Sequence, residues 1–328
     1  MVVVVTGASA GLGRATARAF ARAGADLGLL ARGVDGLEAA RREVEALGRR
    51  AVVLAADVAD PAQVEAAAER VERELGPIDV WVNNAMASVL SPIVEMTPED
   101  FRRVTDVTYH GVVFGTMAAL KRMLPRNRGV ILQIGSALAY RGIPLQSAYC
   151  AAKHAVQGFT DSLRCELLHD GTRVRVSMIQ LPAMNTPQFD WVKSRMPRQP
   201  QPVPPIYQPE VAADAIVWAA THDRRELSVG ATTVAAIWGD KVAPALIDRY
   251  LAATAYEGQQ TDVPADPARR DNLWHPLPGD HGAHGRFDDR SSYSSPQTWI
   301  NERLPALALL AGAAVLLLGA SRQAVRRG

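Results

Sequence analysis

Val2-Val3-Val4-Val5-Thr6-Gly7-Ala8-Ser9-Ala10-Gly11-Leu12-Gly13 decides the fold class of this chain. Four consecutive β-branched residues suit a buried strand. The glycines end it, and the pattern from Arg14 to Ala23 continues as a helix. In such a strand–turn–helix unit the glycines let the backbone approach a pyrophosphate, and the free N–H groups of the helix start bind its charge. The spacing is G-x-x-x-G-x-G, and the flanking strand and helix carry the dinucleotide reading over that of a plain turn.

Further strand patterns run over Asp26 to Ala31, Ala51 to Ala56, Ile78 to Asn83, Gly129 to Gly135 and Arg173 to Gln180, with a last one near Leu227 to Ala236. Helical patterns lie between them, the longest being Asp106 to Leu124 and Ser147 to His169. Asp35 and Glu38 have the spacing of a capping box at the start of another. This alternation predicts an α/β fold, a doubly wound parallel sheet of Rossmann type, as a single domain with a C-terminal extension. Ligands of such sheets sit at the carboxyl ends of the strands. Asn84, Ser136 and Leu181-Pro182 should meet the glycine turn there.

Tyr149-Cys-Ala-Ala-Lys153 falls on the second long helix, where four-residue spacing sets a phenol and an ammonium on one face. A free tyrosine ionises near pH 10, so neighbouring positive charge is needed to make it a proton donor or acceptor at neutral pH. Lys153 is placed to supply it.

With these motifs in this order, residues 1 to 257 resemble the short-chain dehydrogenase/reductase family in its Thr-Gly-x-x-x-Gly-x-Gly form. The resemblance implies catalytic roles for Ser136, Tyr149 and Lys153, an adenine contact at Asp57-Val58, and a sheet-steadying role for Asn83-Asn84-Ala85. It implies cofactor contacts from Gly7, Ser9, Gly11, Leu12, Gly13, Arg32, Asp57, Val58, Asn84, Ala85, Tyr149, Lys153, Pro182 and Thr186, and a homo-oligomer. Two positions depart from the family pattern. Thr108 stands where the family has a catalytic Asn whose backbone carbonyl holds a relay water, a function that survives substitution. Met86 stands where a glycine usually follows, and adds an apolar wall.

The second strand ends Leu29-Leu30-Ala31-Arg32, with no acid to accept bonds from the ribose hydroxyls. Arg32, with Arg14 as a second partner, favours a 2′-phosphate and hence NADP over NAD. Thr186 to Pro209, rich in proline with Phe189, Trp191, Met196 and Tyr207, is long enough for a lid or a disordered segment, and the resemblance implies that it covers the substrate. Together with Met86, Leu138, Tyr140 and Met184 it suggests an apolar pocket, the alternative being that these residues only pack the lid on the core. The expected reaction is NADP(H)-dependent interconversion of an alcohol and a ketone or aldehyde. An inactive nucleotide-binding scaffold or sensor at a membrane is the alternative. A sugar-nucleotide epimerase or dehydratase would need a different glycine spacing and a larger substrate domain.

A net charge of +2 and 48% hydrophobic residues exclude a disordered chain, and no basic stretch interleaved with aromatics points to nucleic acid. The two cysteines, Cys150 and Cys165, suggest a reducing compartment, with Cys150 read as a packed side chain. The first strand begins at residue 2, leaving no room for a signal peptide and favouring a cytoplasmic, unsecreted domain. Residues 258–297 read as a polar extension or linker; its His281 and His284 lack the pattern of a metal site. Residues 298–328 form the last segment. Leu304 to Ala320 carry no charge, with Trp299 before them and Arg322, Arg326 and Arg327 after. That run predicts a helix of about 25 Å, associated with a membrane or packed on a partner subunit.

Overall fold

The computed structural model describes residues 1–303. In chain order the first half comprises β1 Val2–Thr6, α1 Gly11–Arg22, β2 Asp26–Ala31, α2 Val34–Ala46, β3 Ala51–Ala55, α3 Pro61–Leu75, β4 Val80–Asn83, β5 Val89–Leu90, α4 Pro98–Thr105 and α5 Gly111–Met123. Then follow β6 Val130–Ile134, α6 Ser147–His169, β7 Arg175–Gln180, β8 Ala183–Met184, α7 Gln188–Trp191, β9 Lys193–Ser194, β10 Arg198–Pro200, β11 Ile206–Tyr207 and α8 Pro209–Thr221. The remainder is β12 Glu226–Ser228, α9 Ala231–Val242, α10 Pro244–Gly258, β13 Gln260–Pro264 and β14 Ser291–Ser292.

Seven strands form one sheet in the order β12-β7-β6-β4-β1-β2-β3, with every pairing parallel. Strand residues alternate between two faces. Val3 and Val5 accordingly enter a core with α1, α2 and α8, whereas Val2 and Val4 enter another with α3, α5 and α6. Because both faces are covered, β1 is apolar at four successive positions, as a central parallel strand requires. The direction of winding reverses at β1, which lies between β2 and β4, and the crevice at this reversal is where the ligand of such a sheet binds.

Asn83 fixes this crevice from below. Buried at the end of β4, it accepts from Trp81 Nε1 (2.8 Å) and donates to Thr116 Oγ1 (3.1 Å) and Gln133 Oε1 (2.9 Å), tying β4 to β6 and α5. Gly115 is required opposite: a Cβ there would lie 2.2 Å from Asn83 Oδ1.

Three expectations are corrected. The helix expected from Asp106 starts earlier, at Pro98 with Thr97 capping Asp100 N, and runs through a π-helical turn at Asp106–His110 into α5. The strand expected from Leu227 to Ala236 stops at Ser228, because Gly230 turns at φ +80° and α9 begins at once. Gly33, not Asp35, is the N-cap of α2, and the Asp35 carboxylate accepts instead from Gly279 N (2.7 Å).

That last bond belongs to a larger pattern. Residues 259–297 wrap the sheet domain: β13 pairs with β10, β14 pairs with β11, and Leu273 and Phe287 are buried. No helix among the described residues is long and apolar enough to cross a membrane. The expected apolar helix at 304–320 lies outside the described residues.

Candidate active site

The glycine turn carries the first half of the site. Gly7 and Gly11 adopt φ of +71° and +56°, which L side chains rarely adopt, and a Cβ on Gly13 would lie 2.1 Å from the Gly7 carbonyl oxygen. The backbone of α1 thereby closes directly on β1. No side chain caps α1 and no acid stands in its first turn, so its N-terminal end offers positive potential to a ligand. Thr6 Oγ1 accepts from the amides of Asn84 (2.9 Å) and Ala85 (3.0 Å), locking the end of β4 beside the turn.

A cavity of about 470 Å³ runs from here across the strand ends. It is lined by Gly7, Ser9, Gly11, Leu12, Gly13, Arg32, Asp57, Val58, Asn84, Ala85, Ser136, Tyr149, Lys153, Pro182 and Thr186. All the expected cofactor positions therefore share one cleft. An elongated cleft with a glycine floor, a helix N-terminus at its middle and a guanidinium at one end fits a dinucleotide.

At that end Arg32 donates to the carbonyls of Asn272 (2.5 Å), Leu273 (3.1 Å) and Trp274 (3.0 Å). Asp57 accepts from Arg103 Nη2 (2.5 Å) and from Ala59 N (3.0 Å). Arg14 does not face the cavity. Its guanidinium is buried and committed to Glu43 (2.7 Å), Gly36 O (2.9 Å), Ser9 O (3.2 Å) and Asp280 (3.2 Å), which removes it as a second phosphate partner.

The opposite end holds the polar groups of the reaction site. Ser136 follows β6, and its amide donates to Gln180 Oε1 (2.8 Å) while its hydroxyl accepts from Leu138 N (3.1 Å). Gln180 is fully buried, and a Cβ on Gly135 would sit 2.2 Å from its Oε1. This glutamine positions Ser136, and nothing in the spacing of the sequence reveals it. Tyr149 and Lys153 stand one turn apart on α6, with Lys153 Nζ 5.6 Å from the phenol ring centre.

Lys153 donates to the Ile134 carbonyl (2.5 Å), and burial pulls its pKa down to about 8. Burial likewise raises the Tyr149 phenol well above the ordinary tyrosine range, opposed by a hydrogen bond with Ser136. Desolvation is thus the dominant influence on both groups, and it makes the Lys153 charge itself costly to hold. Thr108 does not line the cavity. It is buried in the π-helical turn, its hydroxyl donating to Ala87 O and accepting from Ala87 N, both at 2.9 Å. A π turn displaces the normal helix bonding locally and recurs at functional sites.

Beyond Tyr149 the walls are apolar: Met86, Leu138, Ile143, Phe189, Trp191 and Val203 face the cavity, joined by Ala236, Leu251 and Ala255 of α9 and α10. α9 occupies residues that the sequence pattern assigned in part to the last strand. Tyr140 turns away and donates to Glu226 (2.8 Å), while Met196 and Tyr207 pack in the core beneath the lid. Met184 lines the cavity as expected. Cys150 is a buried free thiol whose pKa burial raises, as a packed side chain should be. Among the described residues no three His, Cys, Asp or Glu side chains gather as metal ligands; His284 bonds Glu210 (2.9 Å) and His281 packs on Trp191.

A profile of short chain dehydrogenases matches residues 1–196. The chain belongs to the short chain dehydrogenase family. It is an oxidoreductase of that family, and it is 34% identical over 275 residues to the uncharacterized oxidoreductase YxnA of Bacillus subtilis, covering 83% of this chain and 77% of the relative. It is 40% identical over 179 residues to mouse dehydrogenase/reductase SDR family member 7B, a match spanning 53% of this chain and 55% of that protein. Among solved structures, an alcohol dehydrogenase from Thermococcus sibiricus complexed with 5-hydroxy-NADP superposes with a TM-score of 0.61 at 28% identity, covering 70% of this chain and 95% of that one. A short chain dehydrogenase from Mycobacterium paratuberculosis bound to NAD gives the same TM-score at 26% identity, again covering 70% and 95%.

In this family member one wall of the cleft comes from outside the matched region. Asn272, Pro276, Leu277, Gly279 and His281 line the cavity, and the Gly282 carbonyl accepts from Gly11 N (2.9 Å) at the start of α1. Their stretch of Asp, Pro, Gly and His has neither helical nor strand period, so no sequence signal announces the wall.

Proposed function

We propose that this short chain dehydrogenase interconverts an alcohol and a ketone or aldehyde on an apolar substrate, with NADP(H) as its cofactor. The observation that carries the reading is the single cleft joining Arg32 at one end to Ser136, Tyr149 and Lys153 at the other. The bound nicotinamide supplies or accepts the hydride. Tyr149 donates a proton to the substrate oxygen in the reductive direction and takes it back in the oxidative one. Ser136, held by Gln180, hydrogen-bonds the same oxygen. Lys153 offers its ammonium to the ribose and to the phenol, and the backbone at Thr108, in its π turn, extends the proton path.

Two similar solved structures are complexes with NADP or a modified NADP and one with NAD, so the neighbours leave both cofactors open. Arg32 favours NADP, since a guanidinium is the natural partner of a 2′-phosphate. The apolar wall from Met86 to Val203 favours an uncharged substrate.

Residues 304–320 are proposed to associate the chain with a membrane, supported by exposed Trp299 and Ile300 a few residues before the uncharged run. Homo-oligomerisation is proposed from the family. Assaying the purified chain with NADPH and NADH against aldehydes and ketones, from small polar to long-chain and polycyclic, tests the reading. Turnover should be greatest with NADPH and an apolar carbonyl. A chain that turns over none of them with either cofactor contradicts it.

A further inference from the structure

Arg32 is not a free surface arginine, and what holds it lies some 240 residues further along the chain. We infer that Asn272-Leu273-Trp274 is a clasp that sets the Arg32 guanidinium to read the 2′-phosphate, so that the C-terminal extension determines which dinucleotide is chosen. The inference rests on the NADP reading above. A guanidinium carries five N–H donors. The carbonyls of Leu273 and Trp274 take both donors of Nη1, and the Asn272 carbonyl takes one donor of Nη2. Among the described residues, Nε–H and the second Nη2–H have no acceptor.

Nε and Nη2 flank one edge of the planar group, the edge that can donate as a fork to two oxygens of a phosphate. Carbonyls are neutral, so the clasp orients the charge without cancelling it. Asp57, the acid whose charge reaches Arg32, is already paired with Arg103. Arg32 lines the cavity, so its remaining edge has a ligand space beside it. Holding a long side chain in one rotamer beforehand lowers the ordering cost when the ligand arrives.

The clasp is itself fixed. Leu273 is fully buried in the same core as Val58, Val104 and Val107, and its carbonyl also accepts from Arg103 Nε (3.2 Å). Its amide donates to Asp271 Oδ1 (3.0 Å), and Trp274 lies against the Arg103 guanidinium at 5.7 Å. Farther along, the Asp35 and Gly11 bonds to Gly279 and Gly282 keep the extension down on the cleft.

The test titrates the purified full chain with NADPH and with NADH, following nucleotide fluorescence, for wild type, Leu273→Ala, Arg32→Ala and the double variant. Leu273→Ala should weaken NADPH about tenfold and NADH less than about twofold. In the Arg32→Ala background it should leave the NADPH/NADH ratio unmoved, because the two residues act through one interaction. Leu273→Met should restore the wild-type ratio. Asp271→Ala removes the acceptor of the Leu273 amide from the less buried side of the turn, and should shift the ratio the same way should Leu273→Ala fail to fold. A wild type that prefers NADPH, combined with an unmoved ratio in these variants or an equal fall without Arg32, overturns the clasp alone. A wild type without preference for NADPH overturns the cofactor reading and the clasp with it.

Discussion

Tyr149 and Lys153 pose the sharpest question at the scale of single residues, because burial disfavours the charged form of both. Tyr149→Phe removes only the acidic hydrogen, and should lower turnover by at least about a hundredfold while NADPH affinity, measured by titration, stays near wild type. For Lys153 the sign follows from a pKa lowered from 10.5 to about 8. Below that value the ammonium is present and can donate to the ribose; above it the amine is neutral and the affinity gained from charge is lost. Cofactor affinity should therefore fall as pH rises above about 8, and Lys153→Ala should bind weakly at every pH with no such inflection. Titrations between neutral pH and pH 10 decide this. Thr108→Asn should change turnover by less than about tenfold, since the proposed relay uses a backbone carbonyl. The motif residues were legible because their types and spacing carry the chemistry. Gln180 and the neutralised Arg14 were not, because which buried polar group finds which partner depends on contacts remote in sequence.

Elements were legible wherever period and punctuation agreed. Six of the seven sheet strands stand where apolar runs placed them, and α6 spans Ser147–His169 as read. Two of the three corrected boundaries share a cause: Ser228–Gly230 and Gly33–Asp35 have partners, Thr298 and Gly279, that come from beyond residue 258. A local pattern cannot display a distant partner. The glycine turn is the opposite case, since its constraint is local and severe. Gly13→Ala would place a methyl 2.1 Å from the Gly7 carbonyl oxygen, which is backbone and cannot rotate aside. The variant should lose about 1–3 kcal/mol of stability in denaturant unfolding. It should also lose most of its nucleotide affinity, because α1 must move off β1.

At the scale of the whole molecule, the extension changes what a C-terminal truncation means. Read from composition, residues 259–297 could be a slack linker that leaves the domain independent of whatever follows. In the structure they form strands with β10 and β11, roof the cofactor cleft and end in a helical segment held by two bonds, Gly230 N to Thr298 Oγ1 and Gln297 Nε2 to Ser228 O, both 3.2 Å. Cutting at 298 removes a buried acceptor from the start of α9, whose Ala236 lines the substrate end of the cavity. Leaving the Gly230 amide unpaired costs about 1–3 kcal/mol. Cutting after Arg303 spares both bonds and removes only the uncharged run and its basic end. The form ending at 303 should keep wild-type turnover and thermal midpoint, whereas the form ending at 297 should melt lower and turn over more slowly. Cell fractionation with an alkaline carbonate wash then isolates the role of 304–320. Full-length chain should stay with the membrane pellet and the 303-residue form should leave it; full-length chain washed wholly into the supernatant contradicts membrane association. A 303-residue form that is released and also loses subunits in solution would identify the run as an oligomer contact, because a lipid anchor has no reason to alter the subunit count of the domain that it carries.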